Sequence, residues 1–239
     1  MSGKKMGGAG LRGQSAGETS ICTVGVSGSG LTYRGYDVVD LAENATFEEV
    51  AYLLLHEKLP NSQELKDYIE KLKSLRGLQP ELRNTLEGIP KTAHPMDVLR
   101  TGCSVLGNLE QEEGFLNQTD HADRMLSAFP SILNYWYQFS HHGKRINTET
   151  NDDTIGGHFL HLLHGKKPSQ LHKQVMSVSL ILYAEHEFNA STFTARVCAS
   201  TLSDIHSAVT SAIGTLRGPL HGGANEAASA MLSKWNDPD

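Results

Sequence analysis

The sequence has few cysteines, no long apolar run and no cluster of basic residues. Its three cysteines, Cys22, Cys103 and Cys198, are far apart and form no CxxC pair. This spacing argues against a disulfide scaffold and against a cysteine-rich zinc site. No apolar run approaches the roughly 20 residues that a membrane-spanning helix requires. The formal net charge is −6, so the basic face that a nucleic-acid-binding protein needs is not expected.

The first residues also lack the apolar core of a signal peptide. Residues 1–17 are rich in glycine and serine and contain Lys4, Lys5 and Arg12 without an apolar stretch. We therefore predict a mobile N-terminal arm over residues 1–19 and one large domain over residues 20–239. No membrane partner is expected, and the predicted location is cytoplasmic.

The sequence contains twelve histidines, but their spacing does not indicate a metal site. His158, His161 and His164 recur at every third position, with leucines and a phenylalanine between them and no acidic residue. This pattern favours packed or capping histidines over a set of metal ligands. His186 begins a segment that resembles the zinc-protease motif HExxH, but the fifth residue is Ala190, so the second ligand is missing. We expect no metal.

The predicted fold is mainly α, with one small β-hairpin near the N-terminus. Residues 20–36 have the alternation of a hairpin, and the glycine-rich stretch 25–30 lies inside it. Because that stretch opens no helix, it fits neither a dinucleotide fingerprint nor a P-loop. Thr46 and Glu49 have the spacing of a capping box that starts a helix.

Further helices follow with short connections. The predicted ranges are 62–75, 80–88, 95–106, 120–142, 154–164, 169–185 and 224–232. The helix over 120–142 is predicted to be kinked at Pro130. One more helix is predicted to be capped by Ser203 and to run to residue 216. The segment 169–185 is apolar on nearly all sides, which is typical of a helix that is buried in a large helical core.

Two polar segments stand out from this helical background. The first, residues 183–192, places His186, two glutamates and Asn189 at the end of the most apolar helix. Unpaired polar groups in a core cost a few kcal/mol each, so these side chains must satisfy one another or meet a ligand. One interpretation is a binding site. The other is that Asn189 or Ser191 caps the next helix while His186 packs, and the local pattern does not decide between them.

The second segment, residues 217–226, contains His221 between two helices and beside two glycines. A helix N-terminus disfavours an imidazolium, so His221 is predicted to be neutral and able to donate a hydrogen bond to a developing enolate oxygen. The alternative is a tight helix–helix turn with an incidental histidine.

At this point the sequence resembles a known family. Residues 218–225, Gly-Pro-Leu-His-Gly-Gly-Ala-Asn, resemble the signature of the citrate synthases, and residues 185–192 and 33–36 resemble two further motifs of that family. Residues 154–165 and 183–188 are similar to those of bacterial 2-methylcitrate synthases. The resemblance extends from about residue 20 to residue 236, and it implies the multi-helix large domain of a citrate synthase.

The resemblance also implies an activity and its site residues. Enzymes of this family condense an acyl-CoA with oxaloacetate and hydrolyse the thioester, without metal or prosthetic group, as homodimers. The histidine that matches His221 donates a hydrogen bond to the thioester oxygen. The residue that matches His186 binds oxaloacetate, with Asn189 beside it as a further candidate.

The resemblance leaves three functions open. The family's second histidine, catalytic aspartate and carboxylate-binding arginines correspond to positions beyond Asp239, so we expect the 239-residue chain alone to be inactive. The leading hypothesis is condensation of propionyl-CoA with oxaloacetate to 2-methylcitrate and CoA, in propionate catabolism. The alternatives are citrate synthesis from acetyl-CoA and a noncatalytic helical dimerisation or binding module.

Overall fold

The computed structural model describes residues 16–25 and 30–233. Three short strands, β1 (Cys22–Val24), β2 (Leu31–Tyr33) and β3 (Tyr36–Asp37), form an antiparallel sheet in the order β1-β2-β3. The predicted hairpin is confirmed, and the sheet extends it by one strand. The tip of the hairpin and most of the predicted mobile arm lie outside the described residues.

Eleven helices follow the sheet in the part of the chain that the structure describes. They are α1 (Val38–Asn44), α2 (Phe47–His56), α3 (Ser62–Ser74), α4 (Pro80–Glu87), α5 (Pro95–Leu109), α6 (Gln118–His142), α7 (Ile155–His164), α8 (Gln170–Leu182), α9 (Ala190–Ala199), α10 (Ile205–Leu216) and α11 (Gly223–Leu232). The mainly helical fold is therefore confirmed. None of these helices combines the length and the apolar composition that crossing a bilayer requires.

Side-chain caps determine where several helices begin. The predicted capping box is present, because Thr46 Oγ1 accepts from the Glu49 amide and the Glu49 carboxylate accepts from the Thr46 amide. The predicted cap of α10 is wrong by one residue. Asp204, not Ser203, accepts from the Ser207 amide, and a carboxylate suits the positive end of the helix better than a hydroxyl does.

Two apolar clusters form the core, and α6 contacts both. The first cluster joins α4, α5, α6 and α10, with fully buried Leu82, Leu106 and Ile132 among its members. The second joins the sheet to α2, α3 and the end of α8, through Tyr33 and Ile181. Burial of such side chains contributes about 1.5–3 kcal/mol each, so most of the stability comes from contacts between helices.

Tyr33 connects the sheet to the end of α8. Its buried hydroxyl donates to the Ile181 carbonyl at 2.8 Å and accepts from the Glu185 amide at 3.4 Å. The first polar segment begins at this point, so the small sheet holds the start of that segment in place.

Within the described part of the chain, α8 is not buried on nearly all sides as expected. Ile181 is the one buried residue on α8, while Leu171, Val175 and Leu182 are exposed. The helix packs on α1, α2 and α7, so only one face is covered by described residues. Composition shows which side chains are apolar, but the placement of neighbouring helices decides which of them are covered.

The three histidines of α7 have different surroundings. His158 is fully buried, with Nε2 at 3.0 Å from Ser131 Oγ and Nδ1 at 3.1 Å from Thr150 Oγ1. His161 Nδ1 instead contacts Asp152 Oδ2 at 2.6 Å, and His164 is exposed. The packed role is confirmed for His158. Across the described residues, no group of three potential metal ligands comes together.

His158 makes the stability of the fold dependent on pH. Burial, and secondarily the charge of Arg76, lowers the pKa of His158 from 6.5 to about 3. Between these two values the unfolded chain binds a proton that the native protein does not bind, so the free energy of unfolding falls as the pH falls. Above pH 6.5 this loss is absent.

We therefore expect His158→Gln to flatten this pH dependence. Urea unfolding of the wild type and of His158→Gln at several pH values between 7 and 4 measures how steeply the free energy of unfolding changes with pH. The exposed His172→Gln variant should keep the wild-type dependence. Parallel pH curves for the wild type and His158→Gln would contradict the assignment, whatever the absolute stability of the variant.

Candidate active site

The first polar segment is a short irregular connection between α8 and α9. Glu187 has a positive φ of 53°, and its Oε1 accepts from the Val24 amide at 3.1 Å, which ties the connection to β1. Burial raises the pKa of the Glu185 carboxyl, although the amides of His186 and Glu187 oppose the shift. Within this connection the His186 side chain is exposed.

Asn189 ends this connection by capping α9. Its Oδ1 accepts from the Thr192 amide at 2.9 Å and from Ser191 Oγ at 2.7 Å. This arrangement agrees with the capping interpretation of Asn189. The oxygen of the side-chain amide is therefore occupied within the protein, and the role of Asn189 in substrate binding stays a prediction.

The second polar segment is a tight turn between α10 and α11. The His221 amide donates to the Gly218 carbonyl at 3.0 Å, and the His221 carbonyl accepts from the Ala224 amide at 3.0 Å. Gly222 permits the turn, because a Cβ at this position would stand 2.6 Å from the Leu216 carbonyl oxygen. The imidazole of His221 thus lies immediately before the start of α11 and is half-buried.

A hydrogen bond between the two segments joins His221 to Ser191. His221 Nε2 lies 2.9 Å from Ser191 Oγ, and Ser191 in turn contacts Asn189 Oδ1. His186 takes no part in any of these hydrogen bonds. The structure therefore brings His221 and Asn189 together through a serine and leaves His186 on the neighbouring surface.

Ser191 is the functional candidate that the sequence did not single out. It appeared there only as an alternative cap for α9. Its position two residues after Asn189 was the available signal, but nothing local showed that a histidine 30 residues further along would reach it.

The serine hydroxyl has one proton, which two neighbours can accept. When Ser191 donates to Asn189 Oδ1, its oxygen accepts from His221 Nε2–H, and a neutral His221 then presents Nδ1 without a proton. When Ser191 donates to Nε2 instead, the neutral ring carries its proton on Nδ1. The tautomer of His221 is thus coupled to the orientation of one hydroxyl group.

Both the motifs and the fold match those of known proteins. Residues 10–239 match the sequence model of the family described as citrate synthase, C-terminal domain. The chain belongs to the citrate synthase family. The resemblance found in its motifs is confirmed.

Individual members of the family resemble the chain over most of its length. A 2-methylcitrate synthase from Shewanella oneidensis is 71% identical over 234 residues, which cover 98% of this chain and 62% of that protein. Citrate synthase 2 from Bacillus subtilis is 42% identical over 207 residues, which cover 85% of this chain and 56% of that protein. The chain thus spans less than two thirds of the length of these relatives.

Solved structures of the family show the same fold. Citrate synthase from Thermoplasma acidophilum, in a ternary complex with carboxymethyl coenzyme A and oxaloacetate, aligns with a TM-score of 0.89 at 30% identity, covering 96% of this chain and 61% of that one. Citrate synthase from Thermotoga maritima aligns with a TM-score of 0.81 at 37% identity, covering 95% and 60%.

Proposed function

We propose that this chain contributes to a synthase that condenses propionyl-CoA with oxaloacetate to give 2-methylcitrate and CoA. The observation that carries the proposal is the half-buried His221 at the start of α11, hydrogen-bonded to Ser191 across the two motifs of the family. The preference for propionyl-CoA is supported by the 71% identity to a 2-methylcitrate synthase. The acceptor is supported by the oxaloacetate bound in the related Thermoplasma enzyme.

In this proposal His221 stabilises the acyl-CoA when its α-proton is removed. The thioester oxygen then gains negative charge, and an N–H group aimed at it lowers the energy of the enolate. When Ser191 turns its hydroxyl proton from Asn189 Oδ1 to His221 Nε2, the neutral ring carries its own proton on Nδ1, and Nδ1–H is that group. A neutral ring suits the task because it donates the hydrogen bond without first acquiring a proton.

His186 and Asn189 complete the proposed site from the other motif. His186 is exposed, so its ring is available to a carboxylate or ketone oxygen of oxaloacetate. Asn189 has its Oδ1 occupied by the Thr192 amide as the cap of α9, so its amide nitrogen is the group offered to a ligand. We propose that His186 is the stronger oxaloacetate ligand of the two.

The proposal extends to the whole protein. The chain covers 62% of the length of its Shewanella relative, so we propose that these 239 residues alone are inactive. We further propose a cytoplasmic homodimer that acts in propionate catabolism and needs no metal or prosthetic group.

A thiol-release assay tests the function directly. The full-length gene product is mixed with oxaloacetate and either propionyl-CoA or acetyl-CoA, and free CoA is measured. We expect a higher kcat/KM with propionyl-CoA. Because one methylene changes binding in an apolar pocket by only about 1–3 kcal/mol, some turnover of acetyl-CoA is expected as well. A clear preference for acetyl-CoA would favour citrate synthesis, and no turnover of either would favour a noncatalytic module.

The role of Ser191 gives a separate prediction. Ser191→Ala should lower kcat by about a hundredfold, because the ring of His221 loses the contact that orients it and selects its tautomer. Ser191→Thr, which keeps the hydroxyl, should recover most of the activity. Ser200→Ala, at the exposed C-terminal end of the same helix, should have no effect. An unchanged kcat in Ser191→Ala, with unchanged imidazole nitrogen NMR shifts of His221, would contradict the role.

A further inference from the structure

α11 is attached to the rest of the described structure by polar contacts rather than by packing. None of its described residues is buried. Outside the turn that leads into it, its side chains make two hydrogen bonds with other described elements. Asn225 Nδ2 donates to the Tyr183 hydroxyl at 3.3 Å, and Glu226 Oε2 lies 2.8 Å from His94 Nε2. Among the described residues, α11 is therefore held by these two contacts and by the turn.

The shorter of these two contacts, between His94 and Glu226, links the start of α5 to the start of α11. His94 is the N-cap of α5, and its Nδ1 accepts from the Met96 amide at 3.1 Å. A ring nitrogen that accepts has no proton, so a neutral His94 carries its proton on Nε2 and donates it to the Glu226 carboxylate. Glu226 lies in the first turn of α11, where a negative charge is favoured.

Below this contact the two helix starts are not packed together. A cavity of about 320 Å³ separates them, lined by the starts of α5 and α11 and by the end of α10. Because side chains do not fill this space, removal of the Glu226 carboxylate leaves α11 room to shift toward α5.

The position of α11 is transmitted to His221 through the backbone. The Ala224 amide donates to the His221 carbonyl at 3.0 Å, and the Gly223 amide donates to the Gly218 carbonyl at 3.2 Å. The turn and the first residues of α11 therefore form one hydrogen-bonded unit. A shift of α11 changes the distance between the His221 ring and Ser191.

We propose that the His94–Glu226 hydrogen bond is a positioning contact that holds the start of α11 and thereby sets the placement of the His221 ring. The inference rests on the proposed function, in which His221 acts on the thioester oxygen. The contact is partly exposed, with 22% of the His94 side chain and 64% of the Glu226 side chain accessible. Exposed pairs of this kind add little to stability, so its effect is on geometry.

The test compares two substitutions of Glu226 in the full-length protein. Glu226→Ala should lower kcat by about tenfold to a hundredfold, since small misplacements of a catalytic group have effects of this size. The melting temperature and the KM for oxaloacetate should stay near those of the wild type. Glu226→Gln, whose amide oxygen can still accept from His94, should recover most of the activity, and the exposed Ser229→Ala on the same helix is the control.

Hydrogen exchange provides a readout that does not depend on turnover. Amides of residues 219–232 should exchange faster in Glu226→Ala than in Glu226→Gln, Ser229→Ala or the wild type. His94→Asn, which keeps an N-cap but is too short to reach Glu226, should reproduce the effect, and the double variant should add nothing further.

The outcomes separate this inference from the proposed function. If the wild type turns over neither acyl-CoA, the proposed function fails, and the predicted effect on kcat fails with it. The hydrogen-exchange data still decide whether the His94–Glu226 contact holds α11. If the wild type is active and Glu226→Ala has wild-type kcat, the positioning role is wrong. Unchanged exchange in Glu226→Ala refutes the contact itself.

Discussion

His221→Ala in the full-length protein is expected to lower kcat by about a thousandfold, the size of effect seen when one donor to a developing oxyanion is lost. The imidazole is half-buried at the start of α11 and touches the protein through Ser191 Oγ at 2.9 Å. Its removal therefore takes away the group that we propose to donate to the thioester oxygen, without opening the core. Steady-state kinetics with propionyl-CoA, together with circular dichroism and a melting curve, measure the two effects separately.

Two other histidines provide the comparison. His172→Ala changes an exposed ring on α8 and should leave kcat and KM unchanged. His186→Ala should raise the KM for oxaloacetate more than it lowers kcat, because the proposed role of that ring is binding. If His221→Ala and His186→Ala lower the melting temperature equally and leave the activity per folded molecule unchanged, both role assignments are wrong.

The largest expected loss of stability follows from Arg76, whose side chain is almost completely buried. Its Nη1 donates to the Thr150 carbonyl at 2.7 Å. Burial lowers the pKa of the guanidinium, and the charges of Asp152 and Glu48 oppose that shift. Burial also raises the pKa of the Glu48 carboxyl, although the Ile155 amide and the Arg76 charge act in the opposite direction. These charges are far from water and depend on one another.

Arg76→Met is therefore expected to lower the free energy of unfolding by about 3–5 kcal/mol, since it removes the donor to the Thr150 carbonyl and the positive charge that acts on the buried Glu48 carboxyl. Urea denaturation at neutral pH measures the loss. A second change, Glu48→Gln, made in the Arg76→Met variant should restore part of the stability because it removes one uncompensated charge. In the wild-type structure the Ile155 amide donates to Glu48 Oε1 at 2.8 Å, and the glutamine keeps an acceptor for that amide.

The control is an arginine that forms an ion pair at the surface. Arg145 is 68% exposed at its side chain and pairs with Glu87 at 2.7 Å. Arg145→Met should lower the free energy of unfolding far less than Arg76→Met does. Similar losses of unfolding free energy in Arg76→Met and Arg145→Met would show that burial does not determine how much Arg76 contributes to stability.

Much of the local structure could be predicted from the sequence because its causes are local. The capping box of Thr46 and Glu49, a cap for α9 at Asn189 or Ser191 and the glycine-containing turn around His221 each depend on a few neighbouring residues. The same holds for the helix bounds, which agree with the apolar spacing to within a few residues. The motifs of residues 185–192 and 218–225 identified the family for the same reason, since each is contiguous.

The sequence by itself determined the helical class, the hairpin, the family and the two segments that carry the candidate residues. Only the tertiary structure decided that Ser191 meets His221, that Glu226 meets His94 across 132 residues, and that the described residues cover one face of α8. The physical reason is that caps and periodicity act within one or two helical turns. Contacts between distant residues depend instead on how whole helices pack, and no local pattern specifies that packing.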